Sequence, residues 1–600
     1  MRGSAWLAAA PKAAPGGLLE RPALLWLLAG IGLACAFSPE GFVAALGLHF
    51  PDTDDAMRLA EVRDLVNGQP WFDLVQHRFL PPVGVQSHWS RLLDAPLAAA
   101  IAGLTPWVGP RLAEGLTVAL WPPLLFALYL AILYRGTARL LSRRAAILAV
   151  FAASLTLGLV LQFRPGRIDH HNVQILCLIG VGLCLMDPAR RAAPAALAGF
   201  LCALSLAIGL EAVPLIAVAG LFVLGAWGLT GRTALPRFLG FGLALGLGAG
   251  GLFALQTDPA LWAVGACDAL SPPWLWLAGS AGLLALAAAL LPERAPPVAR
   301  LGLLAAGGAV SLAGFAWLFP HCLGGPFPGM PEVVRAHWLH KIFEMRPLPA
   351  ILHDAPAEGF GYAFVLLPAA LVSALFALRG PGPRRLFLLC ALFLATGAAQ
   401  SGFQFRGFFV AIAFVPLVAG AALDRAFALI GDTTRPPAHR LGPVAAALCL
   451  LSPVWLLPVS LAKALAPSTP TEAPAQTGSC TAPEAFRTLA GLPPGLVLAP
   501  IDLGPAILLN TPHSIVAAPY HRASAGLQAS LEAFGADEDA MRRQVEALGV
   551  RYVALCAATP PASLDDRTPF ATRLARGQTA VAWLEPVGAS GGPLRLWRVP

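Results

Sequence analysis

The sequence predicts a polytopic α-helical membrane protein of about thirteen transmembrane helices that ends in a C-terminal extracytoplasmic α/β domain. Three observations carry this. Hydrophobic residues make up 57% of the 600 positions and charged residues 12%, and the mean hydropathy of +0.68 is more apolar than a soluble surface allows. Apolar runs of membrane-crossing length, roughly 17–25 residues, recur along the first three quarters of the chain. Arginine is concentrated in alternate loops between those runs.

The first run, Pro22 to Ser38, follows a short basic start and leads straight into acidic residues with no small-residue cleavage site, so it reads as a retained helix. Twelve more are centred near residues 122, 153, 179, 202, 220, 247, 282, 310, 369, 393, 414 and 451. With a cytoplasmic N-terminus, the loops 135–144, 187–191, 232–237, 293–300, 379–385 and 424–440 fall inside. They carry 16 arginines against four acids, Asp187, Glu293, Asp424 and Asp432. The net charge of +8 therefore reports topology, and nucleic acid is not an expected partner. Residues 1–465 form the membrane domain, with loops 39–94, 163–171 and 320–358 on the outer face.

An odd number of spans puts residues 466–600 on that same face, at the periplasmic or extracellular side of a bacterial-type inner (plasma) membrane. In this domain Leu496–Leu498, Ser514–Ala517 and Val550–Leu555 read as strands, and a helix lies within 524–548, stopped by Gly549. Four cysteines lie outside the spans. An oxidising compartment allows the pairs Cys267 with Cys322 and Cys480 with Cys556, although spacing does not set the pairing.

Chemistry has to come from the outer loops. Asp52, Asp54 and Asp55 stand within four positions, and each would cost roughly 2.5–3.5 kcal/mol in hydrocarbon. Asp169, His170 and His171 abut an apolar helix, and Glu332 or Glu344 lies in the third loop. Carboxylates and imidazoles converging on one membrane face suit a divalent cation, Mn²⁺ or Mg²⁺, with Mn²⁺ the more tolerant of an imidazole ligand. The alternative is a set of solvated loop residues.

These residues also carry a resemblance. The layout resembles the catalytic subunits of oligosaccharyltransferases, GT-C-class membrane glycosyltransferases. Asp54 with the following Ala60-Glu61-Val62-Arg63-Asp64 is similar to their first-loop acidic motif, and Asp169-His170-His171 resembles the second-loop motif. Glu344-Met345-Arg346-Pro347 resembles the third-loop glutamate, and Arg406 in Phe405-Arg406-Gly407-Phe408-Phe409 resembles the arginine that meets the lipid phosphate.

The resemblance implies transfer of a sugar or oligosaccharide from a polyprenyl-(pyro)phosphate donor in the membrane lipid to an extracytoplasmic acceptor. It implies a cation held by Asp54, Asp169, His171 and Glu344, with catalytic carboxylates among Asp54, Asp52 and Glu344. Arg406 meets the donor phosphate, helped by Arg164, Arg167 and Arg91, or Arg164 and Arg167 anchor to lipid headgroups instead. The family's Trp-Trp-Asp acceptor motif is replaced by Pro500-Ile501-Asp502, which keeps the aspartate alone and leaves protein, lipid and polysaccharide acceptors open. Asp502, His513, His521 and Arg522 face the acceptor, or the histidine-rich stretches form packed turns. A transporter or flippase of lipid-linked sugars would instead place ionisable groups within spans, with Glu211 the clearest candidate. A noncatalytic role in envelope polysaccharide assembly is the third reading.

Overall fold

In a computed structural model the described residues are 29, 39–380, 382–434, 436–465, 479–558, 563–564, 568–588 and 592–600. The predicted Pro22–Ser38 span lies outside them except for Ala29, as does the 466–478 linker. Eleven of the other twelve predicted centres fall within helices, and the twelfth falls at a break. Seven stretches are long and apolar enough to cross a membrane: Pro110–Leu140, Val213–Gln256, Pro272–Leu290, Pro297–Leu318, Pro356–Arg379, Arg384–Phe403 and Phe405–Ile430. The molecule is a multi-pass membrane protein, but the expected count of about thirteen crossings is not reached among the described residues.

Besides the first span, which lies outside the described residues, three causes separate the counts. Val213–Gln256 is a single 44-residue stretch that joins two helices, Val213–Thr230 and Leu235–Gln256, and so holds the two predicted centres 220 and 247. Arg143–Leu155, His171–Leu185 and Ala192–Ile208 have 13, 15 and 17 residues, short for a 30 Å hydrocarbon layer at about 1.5 Å per residue. The apolar run near 451 is not straight: Pro437–Leu448 and Ser452–Leu465 meet at 81°. The bend is stabilised by its own polar groups, since the Trp455 indole donates to the Cys449 carbonyl at 2.8 Å and Leu157 N donates to Ser452 Oγ at 3.2 Å.

Small residues bring the helices together. A Cβ on Gly199 would stand 2.2 Å from the Phe241 carbonyl, so Ala192–Ile208 and Leu235–Gln256 can pack this closely only with glycine there. Burial grades across the bundle. In Phe405–Ile430, 89% of the apolar window is buried, whereas none of it is in Pro297–Leu318, which presents its leucines outward.

Arginines collect at one end of the bundle, where Arg144 pairs with Asp424, Arg139 with Asp187 at 2.9 Å, and Arg237 with the Leu185 carbonyl. The opposite end carries the long loops and a five-stranded sheet. A short antiparallel hairpin, β1 (Val75–Gln76) with β2 (Val85–Gln86), precedes the sheet strands β3 (Leu496–Leu498), β4 (Ser514–Ile515), β5 (Tyr552–Cys556), β6 (Glu585–Val587) and β7 (Leu594–Arg598). Their order is β4-β3-β5-β7-β6, parallel from β4 to β5 and antiparallel beyond. Of the three predicted strands Leu496–Leu498 is present as expected, Ser514–Ala517 is shortened to Ser514–Ile515, and Val550–Leu555 is shifted to Tyr552–Cys556. The predicted helix is two, Ser524–Gly535 and Glu538–Leu548, the second ended by Gly549 at φ 64°.

Residues 78–80 of the first loop lie along β4, with Leu80 N donating to the Ile515 carbonyl at 2.9 Å and Ile515 N to the Arg78 carbonyl at 2.8 Å. Arg63 and Arg78 also donate to the Leu509, Leu508 and Thr511 carbonyls. The sheet is thus seated on the loop that carries the acidic residues. Both allowed disulfides, Cys267–Cys322 and Cys480–Cys556, are formed.

Candidate active site

The Thr53–Val66 helix begins at Asp52, whose carboxylate caps it by accepting from Asp54 N at 3.2 Å. Acids are favoured at this end, where unpaired N–H groups gather positive charge. Asp55, one position on, is fully buried and faces the second loop. It accepts from Ile168 N at 2.8 Å and Asp169 N at 3.0 Å, and from the Arg167 guanidinium at 3.2 Å. Arg167 also reaches Asp52 at 2.7 Å. Asp55 is therefore the clasp that sets Asp169 opposite Asp52 and Asp54.

Asp169 is held on several sides. Its Oδ1 lies 2.6 Å from His170 Nδ1 and 3.5 Å from the Arg58 guanidinium, and its Oδ2 is 3.3 Å from His171 Nε2. Arg58 is itself fully buried, paired with Asp94 at 2.9 Å and lying 4.4 Å from the centre of the Trp89 ring. His171 abuts Phe409 edge-on at 4.7 Å, and His170 Nε2 stands 3.1 Å from Glu211. In the third loop Glu344 faces Arg406 at 3.7 Å, and Arg406 Nε donates to the Gln404 side chain at 3.3 Å.

These elements enclose a cavity of about 930 Å³ whose walls include Asp52, Asp54, Arg164, Arg167, Glu344 and Asp502. Six predicted site residues from four separate parts of the sequence thus meet at one cavity. Lys341 and His337 line it as well; sequence reasoning missed them, since nothing in their local pattern distinguishes them from other loop cations.

The carboxylates crowd each other. Burial raises Asp54 well above the usual carboxylate range, and Asp52, Asp169 and Glu344 push it further. Burial likewise raises Glu344, with Arg406 opposing, and burial together with Asp52 raises Asp502. Burial also opposes charge on Asp169, but His170, His171 and Arg167 outweigh it and hold its carboxyl well below the ordinary value. For His170, burial is overcome by Asp169 and Glu211, which lift its pKa to about 10.

Part of a cation's donor set is in place around Asp169, and the predicted Asp54 and Glu344 do not belong to that close group. Asp169 Oδ2 is buried without a hydrogen-bond donor. Ligand atoms of Asp169, His170 and His171 lie within 4.8 Å of one another. The excess of carboxylate charge around Asp54 is what a cation relieves.

The remaining expectations divide. His521 and Arg522 do not share the cavity of Asp502; they line a second one of about 490 Å³ with His88, His170, Glu211 and Asp268. His513 does not face a ligand at all. It is fully buried in the C-terminal domain, accepting from Gly495 N at 3.1 Å and donating to the Leu489 carbonyl at 2.8 Å, which is the packed-turn alternative. Arg91 is buried against Asp94 at 3.3 Å and Gln69 at 2.9 Å, so it is not a helper at the cavity. Glu332 is an exposed residue 3.9 Å from Arg335. Glu211 lies between helices and pairs with His170, which is not the mid-span placement a transporter reading needs.

No protein-family profile matches the chain, and no curated protein matches it in sequence. Solved structures do. The archaeal oligosaccharyltransferase AglB from Archaeoglobus fulgidus, in complex with an inhibitory peptide and a dolichol-phosphate, aligns over 89% of this chain and 69% of its own at a TM-score of 0.58 and 16% identity. The apo form of the Archaeoglobus fulgidus oligosaccharyltransferase aligns over the same shares at 0.59 and 15%. Its complex with zinc and sulfate aligns over 89% and 68% at 0.51 and 15%. The expected resemblance to oligosaccharyltransferases is borne out as a likeness of fold.

Proposed function

We propose that this chain is a membrane glycosyltransferase that moves a sugar or oligosaccharide from a polyprenyl-(pyro)phosphate donor to an extracytoplasmic acceptor with the help of Mn²⁺ or Mg²⁺. The observation that carries the reading is the meeting of Asp52, Asp54, Arg164, Arg167, Glu344 and Asp502 at one cavity, in a fold like that of oligosaccharyltransferases. The chain sits in a bacterial-type inner membrane with its arginine-rich end cytoplasmic and residues 466–600 as an outer domain. A thiol placed at the exposed Glu546 would then react with an impermeant reagent from outside.

Arg167 is committed to Asp52 and Asp55, so it braces the acids more than it binds a ligand. Arg164 and Lys341 line the cavity with no ion-pair partner among the described residues, and Arg406 is only loosely paired with Glu344. These three grip the donor phosphate and stabilise the negative charge that grows on it as the sugar leaves. Asp52 is held by Arg167, whereas Asp54 has no ion-pair partner among the described residues. Asp54 therefore orients the acceptor and takes its proton as the acceptor atom bonds to the anomeric carbon. The carbon–oxygen bond to phosphate breaks, and the phosphate departs with the electron pair. Asp54, Asp169, His171 and Glu344 would hold the cation, which would supply Lewis-acid polarisation of the leaving phosphate; that a structure of the Archaeoglobus fulgidus oligosaccharyltransferase is a complex with zinc and sulfate supports a metal in such a fold.

The test is purified protein given a polyprenyl-phosphate-linked sugar and candidate acceptors. Metal-dependent cleavage of the sugar–phosphate bond is expected. Movement of the intact donor between leaflets without cleavage would replace the proposal with the flippase reading. In cells, a deletion strain should accumulate the lipid-linked sugar.

A further inference from the structure

The second cavity, about 490 Å³, is separated from the first by residues 167–170, since Arg167 lines one and His170 the other. Most of its charges are paired, Asp258 being the acid in its lining with no ion-pair partner among the described residues. Arg522 donates from Nε and Nη2 to the two Asp268 oxygens at 2.7 and 2.9 Å and from Nη1 to the Ser87 carbonyl at 2.8 Å. His521 Nε2 lies 2.5 Å from the same carboxylate. Glu211 is taken by His170 at 3.1 Å and Gln174 at 3.3 Å. Among the described residues no arginine or lysine in this cavity is left to meet an anion, whereas Arg164 and Lys341 are left in the first.

Burying a phosphate against Asp268 and Glu211 without a free cation would be strongly unfavourable. Uncharged hydroxyls face no such penalty. The paired carboxylates keep lone pairs that accept from hydroxyl groups, and His88, with no hydrogen-bond partner among the described residues, offers one donor and one acceptor nitrogen. Burial, then His521 and Arg522, hold His88 neutral. Phe327, its ring 4.6 Å from that of His521, supplies an apolar surface for the C–H face of a pyranose.

We infer that the second cavity is a binding site for an uncharged sugar, read by His88, Asp268, His521, Arg522 and Glu211 through its hydroxyls and by Phe327 through its ring face. The inference rests on the proposed transferase reading only in expecting a sugar as ligand. The sugar is either the one carried by the donor or a saccharide acceptor.

Two probes on the purified full chain test it: a panel of neutral methyl glycosides and a sugar-free polyprenyl phosphate. At least one glycoside should bind, and His88→Phe and Phe327→Ala should each weaken it about tenfold, the worth of one or two hydrogen bonds or a stacking face. Polyprenyl phosphate binding should stay within about twofold in both variants, which also shows that they are folded; Arg164→Ala should do the reverse. The inference is overturned if no glycoside binds, if both variants leave glycoside binding unchanged, or if they weaken polyprenyl phosphate equally. Wild-type protein that binds glycosides in this pattern but no polyprenyl phosphate would support the sugar site and count against the transferase proposal. Displacement of the glycoside by a polyprenyl-phosphate-linked sugar, but not by the sugar-free lipid, supports a donor sugar. Simultaneous binding of both supports a saccharide acceptor.

Discussion

The two cavities share a wall and differ in how their charges are disposed. In the first, Asp52, Asp54 and Glu344 crowd one another, with Asp169 close enough to raise Asp54 further, while Arg164 and Lys341 have no ion-pair partner among the described residues. In the second, every arginine and every acid of the His170–Glu211 and His521–Arg522–Asp268 groups already has its counter-ion. An unbalanced site is prepared for ions, with a cation for its acids and a phosphate for its free bases. A balanced one can recognise only shape and hydroxyl geometry. Proximity to the Asp169-His170-His171 segment is common to both, so charge pairing separates their roles where position does not.

The comparison breaks most readily at the shared wall. Asp169→Asn keeps the shape and removes the charge around which His170, His171 and Arg58 are arranged. Sugar–phosphate cleavage should fall on the order of 10³-fold, checked by product release from a radiolabelled lipid-linked donor with expression and thermal melting as folding controls. Arg406→Lys comes next. It preserves the charge but loses the two-pronged grip on phosphate, for a loss of about 10²-fold seen as accumulated intact donor.

A third experiment sharpens the imbalance through pH. Burial and the neighbouring Asp52, Asp169 and Glu344 raise Asp54 above the ordinary carboxylate value. Its protonated form is thus favoured in the metal-free folded protein, and the stability contributed by Asp54 itself is present at low pH and is lost as pH rises through its folded value. A cation takes the proton's place. Mn²⁺ should therefore raise the melting temperature more at about pH 8 than at about pH 5, with proton release on binding, and an equal shift at both would remove Asp54 from the ligand set. The smallest effect on turnover belongs to His513→Gln. Its ring only joins Gly495 to Leu489, so turnover per folded molecule should stay within about twofold while stability drops by about 1–3 kcal/mol, as read from chemical denaturation.

Much of this was legible in the chain because membranes make polar residues conspicuous. Asp52, Asp54, Asp169, Glu344 and Arg406 all stand out against apolar surroundings, and their loops could be placed on one face from arginine distribution alone. Arg58, Asp94, Asp268 and Lys341 were not legible, since their roles arise from contacts between segments with no spacing relation: Arg58 meets Asp169 across 111 positions and Arg522 meets Asp268 across 254. His513 misled for the opposite reason. A polar cluster that looks available to a ligand was satisfied by backbone groups far enough away in sequence to leave no local sign. The break near 451 had a signal in Ser452, Pro453 and Pro458, but hydropathy averaged over a window erases it.

The strip of first-loop backbone lying along β4 has a consequence for biosynthesis. Residues 78–80 leave the ribosome more than 400 positions before Ile515, the residue they pair with. The receptor for the last domain is therefore already waiting when that domain emerges, and the strand it will cover never needs to stand open for long. Severed from this partner, a fragment comprising residues 479–600 would present the bare flank of β4 to its own copies and self-associate.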